Sequence, residues 1–203
     1  MTIQSITPSS TAYTSEGNQE LVDILKKYGN NPKRWPALHY ATHCQDEHAI
    51  EVLLENGADP NEMAPFAIDA RNNPTQFHTP LYIATPWDFR NPDILKPSIV
   101  KLLLDYGADP CIFEDNTTLV AKIINLYTSS LQMTEVSIKI NERCIEILNM
   151  FADKKIDFNK FCYKDPSIYP AQITPLRLAV HRKDQDDYLI KFLLDHGATL
   201  IGV

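Results

Sequence analysis

Glu51-Val52-Leu53-Leu54-Glu55-Asn56-Gly57-Ala58-Asp59-Pro60-Asn61 is the stretch that decides the fold, because the chain writes it again. It returns as Lys101-Leu102-Leu103-Leu104-Asp105-Tyr106-Gly107-Ala108-Asp109-Pro110, and as Lys191-Phe192-Leu193-Leu194-Asp195-His196-Gly197-Ala198-Thr199. A weaker version stands near the start, Asp23-Ile24-Leu25-Lys26-Lys27-Tyr28-Gly29-Asn30-Asn31-Pro32. Aligned on the glycine, apolar residues fall at the same offsets. Val52, Leu53 and Leu54 match Leu102, Leu103 and Leu104, then Phe192, Leu193 and Leu194. That spacing predicts a helix with one wide apolar face. The glycine sits where such a helix ends in a left-handed cap. Asp-Pro then forbids continuation and starts a turn.

A second phrase precedes three of these copies. It reads Ala37-Leu38-His39-Tyr40-Ala41, then Thr79-Pro80-Leu81-Tyr82-Ile83-Ala84, then Thr174-Pro175-Leu176-Arg177-Leu178-Ala179. Thr79 before Pro80 and Thr174 before Pro175 suit an N-cap and a first helical turn. Together the two phrases, in fixed order, resemble the ankyrin repeat, and the resemblance covers about residues 18–203. It implies an all-α fold: an ankyrin-repeat solenoid of stacked helix pairs, about four repeats plus an N-terminal half-repeat. One copy is degenerate. Ile147, Leu148, Met150, Phe151 and Ala152 carry its apolar pattern, and Ile156-Asp157-Phe158-Asn159 echoes Ala-Asp-Pro-Asn. Its first helix starts near Thr117-Thr118-Leu119, with Lys122 at the alanine position. Lys155 stands where the glycine belongs, which predicts a different helix end or a shifted boundary. From Gly29 to Gly57, Gly107, Lys155 and Gly197 the steps are 28, 50, 48 and 42 residues. Against a period of about 33, the later steps require long inter-helix and finger insertions. These fall at 61–78, 86–97, 126–140 and 158–173.

Bulk composition narrows the function. The net charge is −7, with no Lys/Arg run, which argues against binding nucleic acid. No apolar stretch approaches the roughly 20 residues that span a bilayer, so no membrane partner is expected. Cysteines 44, 111, 144 and 162 form no C-x-x-C pair and read as reduced thiols in a cytoplasmic setting. Residues 1–17, rich in Ser and Thr with Glu16 as the one charge, read as a disordered tail before a domain at 18–203. There is no Gly-rich phosphate loop, no G-x-S-x-G and no H-E-x-x-H. The expectation is therefore a non-enzymatic module without cofactor or metal that binds a partner protein. A small enzyme built on the insertions and a structural self-assembling unit are the alternatives. Long insertions, degenerate copies and Ile/Asn/Lys-rich usage also fit an effector that an intracellular bacterium or a virus delivers into a host cell. Leu200-Ile201-Gly202-Val203 hints at weak self-association through the C-terminal end.

The resemblance implies binding by the finger tips and the inner face of the first helices. Counting from Leu38 gives Lys33, Trp35 and His43 as candidates, with Cys44 beside them. Counting from Leu81 gives Gln76 and His78, and the Pro-bounded insertion adds Trp87 and Phe89. Phe113, Glu114, Asn116 and Asn125 surround Leu119, and His181 and Arg182 follow Leu176. Trp35 is the leading anchor, since a large aromatic in a finger suits an interface core; the competing reading packs it over the short N-terminal unit. Trp87 and Phe89 face a partner or fold back on the solenoid, and Phe66, Phe77, Phe161, Tyr163 and Tyr169 share that choice. His39 and His43 are four apart, with His48 and Cys44 nearby, but zinc needs about four converging ligands. The reading preferred for His39 is the family's histidine, tying turn to helix. Asn61 follows Leu53 at a spacing that resembles substrates of asparaginyl hydroxylation; the plainer reading has it bond the turn backbone.

Overall fold

A computed structural model gives the fold and describes residues 19–68, 74–85, 92–114, 116–129, 134–160, 162–164, 172–181 and 187–199. Helix α1 (Gln19–Gly29) leads, and four helix pairs follow. They are α2 (Ala37–His43) with α3 (Glu47–Glu55), α4 (Pro80–Ile83) with α5 (Pro97–Asp105), α6 (Leu119–Ser129) with α7 (Glu135–Asp153), and α8 (Pro175–Val180) with α9 (Asp187–Asp195). First helices stack on first helices, α2 on α4 and α6 on α8, and second helices on second, α3 on α5 and α5 on α7. The result is a two-layer solenoid. Its core is the apolar stripe of each helix, from Ile50 and Leu53 through Ile99 and Leu103 to Ile147 and Leu193. Helix α6 is buried along nearly its whole length, from Leu119 through Thr128.

The caps follow the sequence. Thr79 Oγ1 accepts from the Tyr82 amide and Thr174 Oγ1 from the Arg177 amide, satisfying first-turn donors. Gly57, Gly107 and Gly197 take φ values of 86°, 89° and 84° after their helices. Gly29 departs from the pattern: it closes α1 without entering the left-handed region. Lys155 corrects the expectation made for it. It adopts φ 55°, and the next amide, Ile156 N, reaches back to Phe151 O at 3.1 Å. That is the bond Ala58 makes to Leu53 and Ala108 to Leu103, both at 3.0 Å. The helix end is the same; the cap bonds and the packing of α7 outweigh the roughly 1–2 kcal/mol that a side chain costs in this conformation.

Asparagines join neighbouring repeats. Asn61 Nδ2 donates to Gly107 O (2.9 Å), and Asp109 N donates back to Asn61 Oδ1 (2.8 Å). Asn159 does the same with Gly197 O (2.9 Å) and Thr199 N (2.8 Å). The turn aspartates hold these residues from behind, Asp59 Oδ1 accepting from Asn61 N and Asp157 Oδ1 from Asn159 N. Asn61 thus bonds turn backbone, and in the next repeat as well as its own. Between the second and third pairs the slot holds Cys111. Its amide still bonds Asp109 Oδ1 (2.8 Å), but a thiol cannot form the two-way clasp.

The insertions take defined forms. Residues 61–78 contain an antiparallel hairpin of β1 (Ala64–Ile68) and β2 (Pro74–His78), with Ala64 opposite His78 and Pro65 opposite Phe77. A shorter hairpin, β3 (Tyr163–Lys164) with β4 (Gln172–Ile173), lies in the last insertion. The third insertion lengthens α7 to 19 residues, against 9 in α3, α5 and α9. Arg143 on its added turns donates to Leu95 O (3.1 Å) and pairs with Asp93 (3.0 Å), holding the segment before α5. At the N-terminal end, Asp46 caps α3 through the Ala49 amide and also receives Tyr28 Oη and Lys27 from α1. The Tyr28 hydroxyl, first, and the Lys27 ammonium hold its carboxyl below the usual range. At the other end Leu194 is 50% exposed, where the equivalent Leu54 and Leu104 are 4% exposed under the next pair. Residues 1–18 and 200–203 lie outside the described residues, so the tail and the C-terminal Leu-Ile-Gly-Val are not placed.

Candidate binding surface

The surface starts in the loop between α1 and α2. Asn31 is buried and pins that loop: Nδ2 donates to Tyr28 O (2.7 Å) and Trp35 O (2.8 Å), while Oδ1 accepts from Lys33 N and Trp35 N. Arg34 takes φ 55° to let the chain close this turn. Trp35 is thereby held inward, at 5% exposure. Its indole stacks on Phe66 of the hairpin (centroids 5.2 Å apart, 24°) and meets His43 edge-on at 5.5 Å. The expectation of Trp35 as the exposed anchor is corrected: it is the floor of the site, and Phe66, 42% exposed, is the ring that reaches solvent.

From Phe66 the rings continue along the hairpin and the first-helix layer. Phe66 meets His78 at 4.6 Å, and His78 stacks on Tyr82 of α4 at 4.4 Å. An ammonium stands at each end. Lys33 Nζ lies 4.4 Å from the Trp35 centroid and 5.8 Å from that of Phe66, within cation–π range. Lys122 Nζ lies 3.6 Å from the Tyr82 centroid and donates to Tyr82 O at 3.0 Å. Lys122 is buried, and its place at the alanine position now has a reason: at the end of the four-residue α4 its ammonium joins Thr85 N and Thr85 Oγ1 as donors to Tyr82 O.

His78 and Glu114, both expected to face a partner, face each other instead. Glu114 Oε2 accepts from His78 Nδ1 (3.0 Å) and Thr79 N (3.1 Å), and Oε1 from Thr79 Oγ1 (2.7 Å). Both are buried, so their hydrogen bonds lock one finger to the next. Gln76 is exposed on β2, Phe113 is half-buried, and Asn116 is exposed at φ 66° in the turn between Glu114 and Thr117. Asn125 is half-buried on α6, and His181 is exposed at the end of α8, away from the ring cluster. Trp87, Phe89 and Arg182 lie outside the described residues. Of the candidates, the structure brings together Lys33, Trp35, His43 and His78. It adds Phe66, Tyr40 and Tyr82, which leucine-based counting missed. Phe66 stands at the irregular register step between Pro65 and Ala67, which no sequence spacing marks, and Phe77, opposite Pro65, is 42% exposed too.

The three N-terminal histidines diverge. His39 Nε2 bonds Glu62 O (2.9 Å) in the finger, His43 lies against Trp35, and His48 pairs with Glu20 at 2.6 Å. Burial pushes the His39 pKa down to about 4, so it is a neutral turn-to-helix tie. His43 is lowered as well, by burial first and then by the Lys33 charge.

A family model described as ankyrin repeats, in three copies, matches residues 12–114, about half of the chain. The chain belongs to the ankyrin-repeat family. No curated protein matches it. Ankyrin repeats are generally protein–protein interaction modules and typically non-enzymatic. The ring cluster, from Lys33 to Tyr82, lies wholly within the matched ankyrin residues. Among the described residues no helix is long and apolar enough to cross a membrane.

Proposed function

We propose that this ankyrin chain binds a partner protein, without catalysis, through the concave face of its first helices and the β1–β2 finger. The observation that carries the reading is Phe66. A phenylalanine 42% exposed on a stack of buried rings is a rigid anchor whose ordering is complete before the partner arrives. Phe77 and Met63, equally exposed on the same finger, widen the apolar patch. Four unpaired thiols, two of them buried, support action in a reducing cytoplasm, the cell's own or a host's.

The test is a pull-down with the wild-type chain beside a Phe66→Ala/Phe77→Ala double variant. Both side chains are half in solvent, so the variant keeps its fold, checked by circular dichroism. A protein captured by the wild type and lost from the folded variant supports the reading; loss of a central aromatic weakens such contacts by roughly thirtyfold or more. Equal capture by both moves the interface off the finger. Trp35→Ala is unsuitable, because emptying the floor disturbs the finger itself. A second reading, self-association through α9, rests on the half-exposed Leu194. Sedimentation of the wild type beside Leu194→Lys tests it; a monomer at all concentrations removes it.

A further inference from the structure

Charge is divided between the two layers. Each second helix carries carboxylates, Glu47, Asp105, Glu135 and Asp187 among them. The first helices α2, α4, α6 and α8 carry none, and their charged residues are Lys122 and Arg177. At the finger roots Asp59, Asp109 and Asp157 spend their carboxylates on their own turns. Among the described residues, then, the helical carboxylates of the four pairs lie on the second helices, and the first helices bring none to the face they form. On the finger itself Glu62 is exposed near Asp59 at its root, while Lys33 stands over the Trp35 and Phe66 rings.

Beside the rings Lys33 is an exposed cation, next to the exposed Arg34 in the same loop. Its ammonium rests on Trp35 and Phe66, and among the described residues no carboxylate pairs with it. Lysines on the back behave differently: Lys101 pairs with Asp105 and Lys139 with Glu135. His43, beside Lys33, is held toward its neutral form and can donate or accept a hydrogen bond. The exposed cluster therefore offers an apolar ring, one unpaired ammonium fixed 5.8 Å from that ring's centroid, and a neutral imidazole. A matching ligand places an apolar side chain against Phe66 and a carboxylate within reach of Lys33. A phosphate backbone fits poorly, since it needs several cations in a row.

We propose that the Lys33–Phe66 cluster selects an acidic segment of the partner protein, in which Asp or Glu flanks a Phe- or Leu-type anchor. The inference rests on the binding role proposed above and names the class of segment that fills it. The Lys33 ammonium attracts that segment, and the carboxylates of the second helices turn away copies misdocked on the back.

The probe is a display library with Phe or Leu at the centre and flanking positions drawn from Asp, Gln and Lys. It is selected on the full chain, on Lys33→Glu and on Phe66→Ala, each confirmed as folded by thermal melting. The wild type is expected to enrich Asp beside the anchor, with an Asp peptide binding about threefold to tenfold tighter than its Gln counterpart and losing that gain in high salt. Lys33→Glu should reverse the preference toward Lys. Phe66-dependent recovery without Asp preference, or with Lys preference on the wild type, overturns the acidic-segment inference and leaves the binding role standing. Recovery that ignores Phe66 overturns both. Displacement of the selected peptide by single-stranded polyuridine at lower concentration than by the peptide itself also overturns it, in favour of a nucleic acid.

Discussion

Replacing Asn61 with alanine should loosen the seam between the first two helix pairs. The side chain makes two bonds across it, to Gly107 O at 2.9 Å and from Asp109 N at 2.8 Å. A net hydrogen bond is worth about 0.5–1.5 kcal/mol, and the site is exposed enough for water to replace part of each, so the loss should be about 1–2 kcal/mol. For a chain of this size that lowers the melting temperature by about 2–4 °C per kcal/mol. Urea unfolding followed by circular dichroism gives the free energy; amide exchange in α1–α3, rising more than in α6–α7, shows that the loss is one of coupling between repeats. Asn61→Asp should be worse at neutral pH. It keeps the acceptor for Asp109 N, loses the donor to Gly107 O, and sets a third carboxylate beside Asp59 and Asp109. The converse change is Cys111→Asn, which places the missing clasp opposite the Lys155 carbonyl and Asp157 amide and should add about 1 kcal/mol. If Asn61→Ala shifts stability by less than about 0.3 kcal/mol and Cys111→Asn adds nothing, the clasps are ornaments of the turns and the reasoning fails.

Lys155→Gly should stabilise by up to about 1 kcal/mol, the left-handed strain removed less the entropy glycine gains in the unfolded chain; a destabilised variant in urea unfolding shows that Lys155 holds something beyond its φ. Gly107→Ala should cost about 1 kcal/mol from backbone alone, since a Cβ there meets nothing within 4 Å. His39 is held at about 4 against 6.5, so on acidification the unfolded chain takes the proton first. Stability is full above about pH 6.5 and falls by about 3 kcal/mol toward pH 4; the difference curve against His39→Gln isolates this slope, and a flat difference refutes it. Glu114→Ala leaves Thr79 N, Thr79 Oγ1 and His78 Nδ1 without their acceptor and should cost about 3 kcal/mol in thermal or urea unfolding, with Glu114→Gln costing less.

The repeat was legible because it is written in helix periodicity and punctuation: Leu53, Gly57 and Asp59 each do one job at one offset. The site was less so. Trp35 reads as an interface residue by type, and Asn31, at the offset that Asp59 and Asp109 fill in later copies, turns it inward with an amide donor that an aspartate lacks. His78 and Glu114 stand 36 residues apart, and no local pattern says that they meet. Lys122 and Lys155 read as errors against the repeat, yet one supplies a hydrogen bond to a short helix and the other tolerates a left-handed turn. A pattern built from offsets records what most copies need; it is blind to a long side chain that solves a neighbour's problem.

The pair α6–α7 carries one more consequence, in kinetics. A solenoid begins to fold at its locally most stable unit and spreads by contact with neighbours. Here the copy that departs most from the repeat has the longest helix and a partner helix buried almost throughout. Folding should therefore start near the middle of the chain and run toward both termini. The finger with Phe66 is then assembled late, on a scaffold that already exists.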